Sequence, residues 1–148
     1  SFFISLIIIS LLAFIFFKKI RLFFIFIAVN VIPVFASFIV LKTLGISFNI
    51  ATVMTYSISL GLIVDSSFHI IHALEKMPMN SKLYFQSVVL PIIGSTLVLC
   101  ISFALFAVHD FLPIKEFGMC LAIILFIGMI YDLKILPRLF LMGEKTKC

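Results

Sequence analysis

The sequence predicts an all-α integral membrane bundle of five transmembrane helices, forming a single transmembrane domain over 1–148. Three observations carry that prediction. Hydrophobic residues make up 64% of the chain and charged residues 11%, with a mean hydropathy of +1.38, whereas soluble domains hold about 45–50% apolar and about 25% charged residues. Apolar runs fall at about 2–17, 22–41, 48–73, 89–108 and 114–137, close to the ~20 residues that a spanning helix needs. Most of the charges sit outside those runs, and the runs lack the strict alternation of a barrel strand. A helix satisfies its own backbone in lipid, so helices are the spanning elements expected.

The run at 2–17 is short for a span, and the chain opens inside it at Ser1 without a basic segment in front. That pattern argues against a signal peptide and leads us to expect a piece of a longer polypeptide. Lys18, Lys19 and Arg21 close the run. The second run carries Pro33, which membrane helices tolerate, and ends at Lys42–Gly45. The third, at 48–73, contains Asp65, His69 and His72, followed by Glu75 and Lys76. The break from Pro78 to Pro91 is longer than the others; Asn80 or Ser81 can cap a short helix there, with Leu83, Tyr84, Phe85 and Val88 lying at the interface. Pro91 opens the fourth run, which carries Gly94, Ser95, Thr96 and Ser102. The fifth is apolar until Tyr131 and Asp132, near its end, where Asp132 is expected to anchor or cap.

Charge gives this order a direction. With the first, third and last breaks on one side, nine of the eleven Lys and Arg residues lie there, and Lys42 and Lys115 lie opposite. By the positive-inside rule the basic side is cytoplasmic. The N-terminus is then outside, the C-terminus cytoplasmic, and the expected location is the cytoplasmic (inner) membrane, multi-pass. Topology thus accounts for the net charge of +5 without a nucleic acid partner. Cys100, Cys120 and Cys148 show no pairing or zinc-knuckle pattern.

The residue with most to say about function is Asp65. An ionised Asp near the centre of a spanning helix costs about 2.5–3.5 kcal/mol, and intramembrane acids accordingly face protein or water and commonly move protons, ions or substrate. At about 100° per residue, Gly61, Asp65, His69 and His72 share one narrow stripe, flanked by Thr55, Ser59 and Ser66. Gly61 and Gly94 permit close helix approach. A bundle that brings Ser95 and Thr96 to Asp65 would give its carboxyl group hydroxyl partners, so that gain and loss of a proton couples to packing. Against this stands the reading of Asp65 as a structural hydrogen-bonding group between helices. For His69 and His72 that reading is snorkelling toward the interface. Asp65, His69 and His72 would also suit zinc by type, but no HExxH pattern or fourth ligand accompanies them. No metal, cofactor or enzyme activity is therefore expected.

The segment Gly45–Thr52 followed by Gly61-Leu-Ile-Val-Asp65-Ser-Ser-Phe-His69 resembles the fourth helix of a half-unit in the resistance–nodulation–division (RND) superfamily. It is closest to the lipid-exporter branch with MMPL-type and patched-like members, where the pattern reads G-x-x-V-D-x-x-x-H. Gly94-Ser-Thr96, Ser102-Phe103, Phe117-Gly118 and Asp132-Leu-Lys-Ile-Leu-Pro137 follow in the order of the fifth and sixth helices. Ser66 stands where many relatives carry a second acid or a tyrosine. The resemblance covers about 1–140 and implies helices two to six of one half-unit, the C-terminal half. It further implies a proton-motive-force-driven exporter of hydrophobic or lipid-like substrates, with Asp65, Ser95, Thr96 and His69 as the proton relay. The implied partners are the lipid bilayer, the remaining half and extracytoplasmic domain of the same transporter, its substrate, and further copies in a homo-oligomer. Two alternatives stay open: a non-transporting, sterol-sensing-like module that binds lipid or protein, and an RND protein accessory to protein secretion.

Overall fold

In a computed structural model of the chain, the described residues are 4, 7–9, 11, 20–43, 45, 49–79 and 81–145. They are helical almost throughout, with no strand among them. The elements are α1 (Ile20–Thr43), α2 (Ile50–Lys76), α3 (Lys82–Tyr84), α4 (Leu90–Ala104), α5 (Leu112–Ile130) and α6 (Leu136–Lys145). A π-helical turn, Phe85–Val89, joins α3 to α4, a second, Tyr131–Ile135, joins α5 to α6, and a 3-10 turn, Leu105–Val108, ends α4. Among the described residues, four continuous helical stretches are long and apolar enough to cross a membrane: Leu22–Thr43, Thr52–Lys76, Lys82–Val108 and Leu112–Leu141. They match the second to fifth expected spans. Of the expected span at 2–17, residues 4, 7–9 and 11 are helical, and the rest lies outside the described residues.

Local chemistry explains the boundaries. Gly45 follows α1 with φ of 71°, a left-handed conformation that glycine adopts without steric cost, and its N–H donates to the Lys42 carbonyl. Asn49 and Thr52 form a reciprocal capping box at the start of α2: Asn49 Oδ1 accepts from Thr52 N, and Thr52 Oγ1 accepts from Asn49 N, both at 2.9 Å. Ser81 accepts from Tyr84 N at 3.0 Å and so starts the third stretch, as a cap at 80 or 81 would. The helix beginning there does not stop at the interface but runs on into α4. Tyr84 and Val88 are buried in the core, correcting the expectation of an interfacial segment; Leu83 and Phe85 face outward.

Both π-helical turns occupy the same place relative to a proline, from six to two residues before Pro91 and before Pro137. A proline removes one N–H donor and its ring crowds the carbonyl four residues back. Widening the turn ahead of it relieves that crowding and finds new partners for the freed backbone groups. The chain therefore passes both prolines without breaking the span.

The helix α5 is the centre of the bundle, packing on α1, α2 and α4, while α4 leans mainly on α5. Close approach depends on glycine at two points. A Cβ at Gly118 would collide with the Phe103 carbonyl and the Phe106 side chain, and one at Gly128 would lie 2.7 Å from Ile63. The interior divides into two apolar layers. One gathers Leu22, Phe26, Val29, Ile70, Ile71, Leu74, Tyr84, Val88, Ile92 and Leu136. The other gathers Val34, Leu41, Tyr56, Leu60, Ile63, Cys120, Leu121, Ile124 and Leu125.

Candidate functional site

Between those two layers, in sequence as in packing, lie three buried polar residues: Asn30 on α1, Ser67 on α2 and Asp132 in the second π-helical turn. Each continues the inward stripe of its helix. On α2 the stripe reads Leu60, Ile63, Ser67, Ile70 and Leu74; through α5 and beyond it reads Gly118, Leu121, Leu125, Gly128 and Asp132. Those spacings of three and four keep one face inward. Ser67 Oγ is hydrogen-bonded to Asp132 Oδ1 at 2.6 Å and lies 3.2 Å from Asn30 Oδ1. Asn30 Nδ2 donates to the Phe26 carbonyl at 2.7 Å. Asp132 Oδ2 is buried and, among the described residues, has no hydrogen-bond partner.

Asp132 is thus neither an interfacial anchor nor a cap; it is 1% exposed. Sequence reasoning passed over Asn30 and Ser67 and misplaced Asp132. The 3-4 spacing from Gly118 to Asp132 was the available signal, and Asp132's nearness to a basic terminus concealed it.

The expected relay residues sit elsewhere. Asp65 and His69 are exposed, with side chains 78% and 71% accessible, and lie 3.7 Å apart, one turn from each other on α2. That contact is an ion pair when the imidazole is protonated. Ser67 is two positions on from Asp65, about 200° of helix rotation, so the two polar faces of α2 look in opposite directions. Met54, Ile58, Gly61 and His72 share the outward side with Asp65, while Thr55 and Ser59 are fully buried. On α4, Thr96 is buried and Ser95 is exposed, its hydroxyl donating to the Ile92 carbonyl at 3.2 Å. Among the described residues no hydrogen bond joins Asp65 to Ser95 or Thr96. Nothing among the described residues lies within 4 Å of a Cβ built at Gly61 or Gly94. Among the described residues, then, Asp65 meets His69 but neither Ser95 nor Thr96.

A second linkage ties the opposite end of the bundle. The amide of Asn49 donates to Oε2 of Glu116, a buried carboxylate on α5, so the cap of α2 also fastens that helix to the central one. Among the described residues no cluster of His, Cys, Asp and Glu is arranged to hold a metal ion. An apolar crevice of about 520 Å³ opens between α1, α4 and α5, lined by Val40, Ile101, Ala104, Ile123, Phe126 and their neighbours.

No family model, curated protein or solved structure matches the chain.

Proposed function

We propose that this chain is the membrane-embedded part of a proton-driven exporter of hydrophobic or lipid-like substrates, with Asp65 as its proton-carrying group. The observation that carries the reading is the outward Asp65–His69 pair on a helix long and apolar enough to span a membrane. A carboxylate turned toward lipid is costly, so that face belongs against protein or water. The bare glycines at 61 and 94 would let another helix approach closely. In this reading a further helical bundle, either the other half of the transporter or a second copy, covers the stripe and completes the relay with groups of its own. Ser95, exposed on α4, is available to the same interface, and Thr96 acts by packing beside it. His69 takes or releases a proton beside Asp65, altering the charge across the interface and hence the fit of the helices.

The resemblance to RND exporters in Gly61–His69 and in the order of the later motifs supports the same reading, as does the apolar crevice, which suits a lipid-like chain. The basic residues favour the cytoplasmic membrane with the C-terminus inside. The crevice equally favours a second reading, a non-transporting module that binds lipid in the manner of a sterol-sensing domain.

Asp65→Asn separates the two. Reconstituted with all its parts in vesicles bearing a proton gradient, the variant transporter should fold and insert but lose proton-coupled flux by at least tenfold. Wild-type protein that binds lipid but carries no proton-coupled flux would favour the binding module, and flux undiminished in the variant would remove Asp65 from the relay.

A further inference from the structure

We propose that Asn30, Ser67 and Asp132 form a proton-binding site inside the bundle, in which Asp132 is held as a neutral carboxylic acid. The argument is a count of hydrogens. Ser67 Oγ lies 2.6 Å from Asp132 Oδ1 and 3.2 Å from Asn30 Oδ1, and a hydroxyl has one hydrogen to give. The Asn30 amide cannot be turned to supply another. Its Nδ2 is fixed by the Phe26 carbonyl at 2.7 Å, and exchanging the two ends would set two carbonyl oxygens against each other at that distance.

With Asp132 ionised, Ser67 serves one acceptor and leaves the other facing an oxygen without a hydrogen between them. The carboxylate then holds a single donor in an interior where charged groups need several. One added proton resolves both contacts. The Asp132 O–H donates to Ser67 Oγ, and the Ser67 O–H donates to Asn30 Oδ1, giving a directed chain of two hydrogen bonds. Release of that proton returns one hydrogen shared between two acceptors.

Among the described residues no charged group near the site offers an alternative. Asp65, His69 and His72 share α2 with Ser67 but are exposed, as are Glu75 and Lys76 near its end. Lys134 and Arg138, beyond Asp132, are also exposed, and Tyr131 is half-buried. On α5, Lys115 and Glu116 lie at least sixteen residues from Asp132, about 24 Å along the helix, and Cys120 lies twelve away. On α1, Lys42 is twelve residues from Asn30 and Arg21 is nine. The site also lies deep. Ser67 is nine residues from the end of α2 at Lys76, about 14 Å of helix in a hydrocarbon core about 30 Å thick. It is distinct from the outward Asp65 face and does not depend on the exporter reading.

Infrared difference spectroscopy of the full-length chain in lipid tests this. At neutral pH, Asp132→Asn should remove one carbonyl band of a protonated acid. Asp65→Asn and Glu116→Gln should leave that band in place, and Ser67→Ala should keep it but move it to higher wavenumber as its hydrogen bond is lost. Loss of a carboxylate band instead in Asp132→Asn would overturn the proposal. Should that variant not fold, Ser67→Ala decides alone, an unmoved spectrum counting against. A sodium-dependent rise in thermal stability that Asp132→Asn abolishes would also overturn it, by making the occupant a cation.

Discussion

Ser67 shows how much one hydroxyl can hold together. It stands between an amide oxygen and a carboxyl group, both buried, and each depends on it for a close polar contact. Ser67→Ala leaves two polar groups facing apolar surroundings, and a buried group without a partner costs about 1–3 kcal/mol. Equilibrium unfolding in mixed micelles should therefore find the Ser67→Ala protein less stable by at least that range. Asp132→Asn keeps the shape and supplies an N–H to Ser67, so its loss should be the smaller of the two. Asp65 presents the opposite case. Its side chain is accessible and paired with His69 one turn away, and its replacement should spare the fold of the chain.

Among the helices, α5 sets the geometry, because its neighbours come close enough to exclude a methyl group. Gly118→Ala drives a Cβ into the Phe103 carbonyl and Phe106, and backbone cannot yield as a side chain tip can. Overpacking of this kind costs about 1–3 kcal/mol, read as a lower unfolding midpoint. Gly94→Ala, with open space around it, should leave the isolated chain as stable or slightly more so, since alanine is the better helix former by about 1 kcal/mol. The helices themselves were legible in the sequence from apolar length and the charged breaks. Their faces were harder to read. The polar stripe Gly61–Asp65–His69 drew attention because carboxylates and imidazoles are rare in lipid, yet it points away from the chain's own interior. The interior face of α2 carries Ser67 amid Ile and Leu, and a lone serine at a 3-4 spacing looks like packing. Continuity from Lys82 through Pro91 was hidden because proline reads as a helix start, whereas the π-helical turn carries the span past it.

Taken whole, the chain has two polar systems on opposite sides of one helix. The inner one, Asn30–Ser67–Asp132, lies between the two apolar layers and needs no partner to be buried. The outer one is left uncovered by every described element, and lipid is a poor medium for it. The exporter reading requires that a further bundle close over Asp65, and proton traffic there would then press on the packing between bundles. Asp65 and Ser67 are only two residues apart, so any rotation of α2 that shifts one polar face must shift the other. The apolar crevice between α1, α4 and α5 lies apart from both faces, as suits a surface for hydrophobic molecules.

Spin labels on single introduced cysteines, in the complete assembly in its lipid membrane, test that closure most directly. A label replacing Ile58, on the outward side of α2 about two turns before Asp65, is compared with one replacing Ile39, which is 65% exposed on α1. The account predicts severalfold fewer collisions with lipid-dissolved oxygen at position 58 than at position 39. Equal collision rates would mean that the Asp65 face meets lipid, contradicting the covered relay.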